Sequence, residues 1–135
     1  MSITKEDIND FQSAWSDAVI NKDIEKLLTL YADQAVLKPT LSNSIRRNQT
    51  DIREYFLGVR KFEDAGFFNN NFDSVTFIES SPMCNGNIAT DTGIYEFSRN
   101  DGTSVKAHYS FFYQLNSQNK LEVLSQHSSL LVNLE

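Results

Sequence analysis

The chain has 135 residues, of which 40% are hydrophobic and 22% are charged, and its formal net charge is −6. Because this length lies below the size at which chains divide, we expect one domain over residues 1–135. The negative charge repels phosphate groups, which argues against nucleic-acid and membrane partners. The N-terminus lacks the features of a secretory signal and no apolar run reaches the ~20 residues of a membrane span, so we expect a cytoplasmic protein.

The residues that bind metals are few. Cys84 is the only cysteine, and the chain has two histidines, His108 and His127. A closed metal site needs a set of such ligands at short spacings, and no such spacing occurs. The sequence therefore predicts no metal site and no cofactor.

The first part of the chain has helical periodicity. Thr4 and Asp7 resemble a capping box ahead of an amphipathic helix over about residues 4–21. Asp23 then predicts the start of a shorter helix that carries Tyr31 on its apolar side.

A short strand and a third helix follow. Ala35–Leu37 reads as a strand that ends at Pro39. Thr50 is the predicted cap of a helix whose buried side includes Tyr55 and Val59.

Strand-forming residues dominate the second half of the chain. Residues 72–78, 88–98, 103–115 and 121–131 are rich in β-branched and aromatic residues or alternate between apolar and polar positions. Helices first and antiparallel strands second indicate an α+β fold, with helices packed on one face of a curved sheet.

Five sequence segments, in this order, resemble a known superfamily. They are LYADQAVL, PTLSNSIRRNQTDIREYF, CNGNIATDTGIYEF, DGTSVKAHYSFFY and HSS. The chain resembles the nuclear transport factor 2-like superfamily, in particular the bacterial proteins similar to the association domain of calcium/calmodulin-dependent protein kinase II. The resemblance implies a cystatin-like cone, in which a strongly bent antiparallel sheet wraps around three N-terminal helices and leaves a cavity at its wide end.

This chain departs from that branch at two positions. The relatives usually carry an arginine where this chain has His108, and a histidine pair where it has Gln126 and His127. A pocket built on that arginine would take a different ligand here.

The segment SQHSSLL raises the possibility of a pocket. If residues 105–115 pair with 121–131 around a five-residue turn, His127 lies opposite Tyr109 on the face that meets the helices. A slip of one residue would move His127 to the other face. The alternatives are a structural histidine in the core and, for Arg47, a solvated loop. The candidate pocket residues are His127, Ser129, Tyr109, Phe111, Trp15, Tyr31, Tyr55, Tyr95 and Arg47.

The opposite face of the same strands carries exposed apolar side chains. We expect this face to form a homodimer or a larger homo-oligomer, although a solvated face with scattered apolar residues is the alternative. The candidate interface residues are His108, Ser110, Phe112, Leu124, Gln126 and Leu130.

Two classes of function fit this fold, and a third interpretation is a scaffold whose cavity is vestigial. The first is a non-catalytic domain that oligomerises and binds a small anionic or aromatic molecule. The second is a pocket enzyme of the ketosteroid-isomerase or polyketide-cyclase kind. The resemblance places the base of such enzymes where this chain has Lys38, which leaves His127 with Asp91 or Glu96 as the remaining acid–base pair and favours binding over catalysis.

Overall fold

The computed structural model describes residues 2–40, 42–58 and 66–132. The helices are α1 (Lys5–Ile20), α2 (Ile24–Thr29) and α3 (Gln49–Leu57), with a 3₁₀ helix at Phe67–Asn70. The strands are β1 (Tyr31–Lys38), β2 (Ser74–Asn85), β3 (Ile88–Ser98), β4 (Ser104–Leu115) and β5 (Leu121–Leu130). None of the described helices is long and apolar enough to cross a membrane.

Helix α1 begins where the sequence predicts because Thr4 and Asp7 form a capping box at its N-terminus. The Thr4 hydroxyl accepts from the Asp7 amide at 3.1 Å, and the Asp7 carboxylate accepts from the Thr4 amide at 2.9 Å. The helix buries Phe11 and Trp15 among its apolar residues. Trp15 stacks on Tyr95 of β3 with 5.6 Å between ring centroids, so α1 covers one face of the sheet.

Some predicted boundaries of the early elements are wrong. Tyr31 lies in β1, which is longer than predicted, rather than in α2. Asn48, not Thr50, caps α3, because the Asn48 side chain accepts a hydrogen bond from the backbone amide of Asp51. The expected buried residue Val59 lies outside the described residues.

The strands form one sheet with the order β1-β5-β4-β3-β2. Strand β1 runs parallel to β5, and the other neighbours are antiparallel. Strand β2 extends well beyond residue 78, to Asn85. The expected α+β class, with helices on the inner face of a bent sheet, is confirmed, and the parallel first strand is the addition to it.

A β-bulge in β5 sets the faces of the last strand. Near the turn, Tyr113 lies opposite Val123, but beyond it Phe112 lies opposite Ser125, so Leu124 is an extra residue in β5. A bulge of one residue reverses the face of every side chain that follows it.

Glycine allows a close approach between β3 and β2. A Cβ atom built at Gly93 would lie 1.8 Å from the carbonyl oxygen of Glu79, so no larger residue fits without moving the backbone. The pairing of these strands shifts between Phe77 and Glu79. The Glu79 carbonyl oxygen brought inward there lies 3.1 Å from the Tyr109 hydroxyl oxygen.

Candidate functional site

A small cavity lies between the helices and the inner face of the sheet. Its volume is about 10 Å³, which is close to the least space that holds one water molecule. Most of the wall is aromatic or aliphatic, and the polar groups come from the chain after β1 and from β3 and β5. The lining residues are Trp15, Leu37, Pro39, Thr40, Tyr55, Phe56, Phe67, Tyr95, Phe97, Gln126 and Ser128.

Two hydroxyl groups meet at this cavity. Thr40 Oγ1 and Ser128 Oγ are hydrogen-bonded to each other. Tyr95 donates its hydroxyl hydrogen to Ser128 Oγ at 2.7 Å. Thr40 follows directly on Pro39, which ends the pairing of β1, while Ser128 points inward because the bulge precedes it.

The hydroxyl pair is the end of a longer chain of hydrogen bonds. Trp15 Nε1 donates to the Tyr31 hydroxyl oxygen at 3.0 Å, and Tyr31 donates to Gln126 Oε1 at 2.5 Å. Gln126 Nε2 in turn donates to the Tyr95 hydroxyl oxygen at 3.4 Å. Apart from Thr40, the side chains that form these hydrogen bonds are buried: Trp15, Tyr31, Gln126, Tyr95 and Ser128.

Burial keeps both tyrosines of this hydrogen-bond series, Tyr31 and Tyr95, protonated. It raises the pKa of Tyr95 to about 12, although the hydrogen bonds with Ser128 and Gln126 lower it. Burial also raises the pKa of Tyr31 far above its usual range. The polar side of the cavity therefore consists of neutral donors at physiological pH.

The other side of the cavity is an aromatic wall. Phe67 contacts Phe97 edge to face at 5.2 Å between centroids, and Phe56 contacts Phe67 in the same way at 5.7 Å. Phe97 also packs against Trp15. Such a wall favours a small apolar molecule next to the hydroxyl pair.

Several residues that the sequence proposes for a pocket do lie inside the fold. Trp15, Tyr55 and Tyr95 line the cavity, and Tyr31 lies behind it in the hydrogen-bond chain. The face of Tyr95, which the sequence left open, is the inner one.

Tyr109 and Phe111 are buried on the inner face, but neither lines this cavity. Tyr109 instead donates to Asp91 Oδ2 at 2.9 Å. Asp91 is fully buried and also accepts from Gln12, Ser80 and the Ser81 amide. This second polar cluster ties α1 to β2 and β3.

The predicted placement of His127 and Ser129 in the cavity is wrong. Tyr109 pairs with Ser128, and His127 pairs with Ser110, so His127 and Ser129 lie exposed on the outer face. The cause is the extra residue Leu124, which the assumed pairing did not contain. An acid–base pair of His127 with the inward Asp91 is excluded by the same register.

Arg47, a candidate pocket residue, does not line the cavity. Arg47 is exposed, while Arg46 is buried, donates to Ser42 Oγ at 3.1 Å and lies over the Tyr55 ring. Arg46 therefore contacts Tyr55, one of the lining residues, without lining the cavity itself. Adjacent residues alternate in direction here because Arg46 pairs with Leu37 in an isolated bridge.

The predicted interface set divides between the two faces. His108, Ser110 and Phe112 are exposed on the outer face, as expected. Gln126 is buried on the inner face, and Leu130 pairs with the inward Ala107, so these two residues were assigned to the wrong face. Leu124 lies at the bulge and packs against the core.

Sequence reasoning missed the central residues of the site, Thr40, Gln126 and Ser128. The signal for Ser128 was present in the HSS segment, but the wrong register selected its neighbours. Within the described ranges, no group of three or more His, Cys, Asp or Glu side chains could hold a metal ion.

Residues 6–130 match the family described as metal-independent carbonic anhydrase. No curated protein matches the chain.

Three solved structures illustrate the likeness of the fold. The iota-carbonic anhydrase from a cyanobacterium, complexed with bicarbonate, is 22% identical with a TM-score of 0.86, over 98% of this chain and 95% of that one. A protein from Xanthomonas campestris, described as a calcium/calmodulin-dependent protein kinase II association domain, is 23% identical with a TM-score of 0.77, over 94% and 87%. A nuclear transport factor 2-like protein from Shewanella oneidensis is 14% identical with a TM-score of 0.71, over 94% and 99%. These structures confirm the expected nuclear transport factor 2-like fold.

Proposed function

Since the chain belongs to the family of metal-independent carbonic anhydrases, we propose that it catalyses the reversible hydration of carbon dioxide to bicarbonate and a proton. The observation that carries the proposal is the pair of hydroxyls, Thr40 and Ser128, at the end of a buried hydrogen-bond chain. The solved relative that holds bicarbonate supports the same choice of ligand.

The hydroxyl pair would act on the oxygen atoms of the substrate. When water attacks the carbon of carbon dioxide, negative charge develops on the two original oxygens. Thr40 and Ser128 bond each other in the free protein, and each can turn its hydrogen to one of these oxygens. Donors held in a water-poor site stabilise such charge more than donors in water do.

The aromatic wall would hold carbon dioxide itself, which has no charge and accepts hydrogen bonds poorly. Phe56, Phe67 and Phe97 form this wall beside the hydroxyl pair. The cavity of about 10 Å³ has the space of about one water molecule, so it must open to admit carbon dioxide and the attacking water. Separation of Thr40 from Ser128 would provide such an opening.

The reaction also releases one proton from the attacking water. The described lining contains no carboxylate, imidazole or amine. The buried tyrosines cannot take this proton, because burial raises the pKa of Tyr95 to about 12 and the phenol is already protonated at neutral pH. In this proposal, a water or buffer base at the cavity mouth takes the proton, so the rate rises with buffer concentration.

Two other functions suit the cavity less well. A ketosteroid-type isomerase needs room for a multi-ring substrate, and this cavity of about 10 Å³ offers none. Lys38, which stands at the position of the base in those enzymes, is exposed. A domain that only binds a small anion would use the same hydroxyls. Catalysed hydration of carbon dioxide distinguishes an enzyme from such a domain.

The experiment measures carbon dioxide hydration by stopped flow, in protein treated with a strong chelator. We expect activity in the parent and a loss of at least tenfold in Thr40→Val, which keeps the shape but lacks the hydroxyl. Thr92→Val on the exposed outer face of β3 is the matched control. Activity that the chelator removes, or equal activity in Thr40→Val, contradicts the proposal.

The outer face of the sheet is proposed as the surface for a second copy of the chain. Its support is the exposed Phe112, which is 39% exposed, together with Ile88, which is 40% exposed, on the same face of neighbouring strands. The relative from Xanthomonas campestris, described as an association domain, is consistent with pairing of this kind.

A further inference from the structure

The hydrogen-bond chain behind the cavity has a direction, and Trp15 determines it. An indole nitrogen can donate a hydrogen bond but cannot accept one. Trp15 Nε1 lies 3.0 Å from the Tyr31 hydroxyl oxygen, so that oxygen is the acceptor. The single hydroxyl hydrogen of Tyr31 is then free to be donated to Gln126.

Gln126 transmits this direction because its two ends differ. The Tyr31 hydroxyl needs an acceptor, and the nearest is the Gln126 carbonyl oxygen, Oε1, at 2.5 Å. The amide nitrogen must then face Tyr95, to which it donates at 3.4 Å. The reverse orientation of the amide would place two donors on Tyr31 and leave its own buried hydrogen without an acceptor, which is costly.

The same logic continues to the cavity. Tyr95 accepts from Gln126 and therefore donates to Ser128 Oγ, at 2.7 Å. Ser128 is then free to donate to Thr40 Oγ1, which leaves the hydrogen of Thr40 directed away from Ser128 and available to a ligand. Each hydroxyl has one hydrogen, so the order is determined from Trp15 to Ser128, whereas in the last bond either Ser128 or Thr40 can donate. In both cases Tyr95 leaves the hydrogen of Ser128 free for Thr40 or a ligand.

We propose that Trp15, Tyr31 and Gln126 act as positioning residues that orient the hydroxyl hydrogens of the cavity towards an anionic ligand of the bicarbonate type. This inference rests on the proposed function for its ligand. Tyr31 is the informative member, because it is buried and does not belong to the described lining of the cavity. Any effect of Tyr31 on the ligand must therefore pass through its neighbours, among them its hydrogen-bond partners Gln126 and Trp15.

The test compares Tyr31→Phe with Tyr113→Phe. Both tyrosines are buried, but the Tyr113 hydroxyl has no hydrogen-bond partner among the described residues. Without the Tyr31 hydroxyl, the Gln126 amide can turn over and accept from Tyr95, which removes the donor from Ser128. Bicarbonate binding, followed by carbon-13 NMR, should weaken about three- to tenfold in Tyr31→Phe, the range expected for one neutral hydrogen bond. Tyr113→Phe should bind as the parent does.

A second measurement needs neither a variant nor a ligand. In the parent, NMR should show the Gln126 side-chain amide hydrogens close to the Tyr95 ring rather than to the Tyr31 ring. Amide hydrogens close to Tyr31 would overturn the inference, as would equal bicarbonate binding by the parent and Tyr31→Phe. If the parent binds no bicarbonate but the amide faces Tyr95, the proposed function fails while the direction of the chain stands.

Discussion

Tyr109 lies directly opposite Ser128 in the pairing of β4 with β5, and their neighbour His127 lies opposite Ser110 on the other face. Ser128 is therefore buried beside the cavity, while His127 and Ser129 are exposed. Variants at adjacent residues of β5 are thus matched pairs, in which only the residue on the inner face is expected to affect the site.

Ser128→Ala should abolish most carbon dioxide hydration, because it removes the acceptor of Tyr95 and the donor to Thr40. Ser129→Ala, one residue further along the strand, should behave as the parent does. Stopped-flow rates of the two variants decide this. The opposite ranking would mean that Ser129, and not Ser128, acts in the cavity.

His127→Ala should leave bicarbonate binding unchanged, since the imidazole lies on the outer face. Its neighbour Gln126→Leu, by contrast, should weaken binding, because it removes both the acceptor of Tyr31 and the donor to Tyr95. Titration of both proteins with bicarbonate tests the contrast. A tenfold loss of bicarbonate affinity in His127→Ala would show that the histidine takes part in binding.

The protein should lose stability steeply above pH 10. Burial raises the pKa of Tyr95 to about 12, and burial likewise raises the pKa of Tyr31 and Tyr113. Unfolded phenols ionise near pH ~10, so the unfolded state binds fewer protons than the native state above that pH. The stabilisation is complete below pH ~10 and falls by up to about 1.4 kcal/mol per pH unit for each such phenol.

Urea unfolding at a series of pH values, with tyrosinate absorbance recorded in parallel, measures this loss. Tyr113→Phe should reduce the slope above pH ~10, because one buried phenol no longer titrates. A free energy of unfolding that stays constant between pH ~9 and ~11 would contradict the burial of these hydroxyls.

Asp91→Asn should destabilise the protein by about 2 kcal/mol, because the new amide group meets donors that a carboxylate satisfies. Gln12 and Tyr109 both donate to Oδ2 at 2.9 Å, and the Ser81 amide donates to Oδ1 at the same distance. Urea unfolding measures the change, with the exposed Asp10→Asn as the control. Equal stability of the two variants would show that the charge of Asp91 is not needed.

If the outer face binds a second copy, Phe112→Asp combined with Ile88→Asp should give a monomer. Both side chains are exposed on that face, and a charge at each position opposes apolar contact. Sedimentation velocity measures the mass, and Thr92→Asp on the same face tests whether one added charge alone is sufficient. An unchanged assembly would locate the contact elsewhere on the chain.

Much of the fold was predictable from local sequence. The capping box of Thr4 and Asp7 marks the start of α1 within one residue, and the turns around β3 give its bounds as Ile88–Ser98. These signals act over a few residues, so no knowledge of distant contacts is needed to interpret them.

Thr40 and Gln126 could not be recognised in the same way. They lie far apart in the chain and become neighbours of Tyr95 and Ser128 only when β1, β3 and β5 come together around α1. Neither residue has a charge or a motif that indicates a site by itself. Their role depends on hydrogen bonds between elements.

The sequence by itself determined that β5 alternates between two faces, because successive side chains of a strand point in opposite directions. It did not determine which set points inward. That choice depends on Leu124, the extra residue that shifts the pairing with β4 and directs Ser128 rather than His127 towards the cavity. Alternation is a local property of the backbone, whereas register is decided by packing between strands, and so only the tertiary structure located the site.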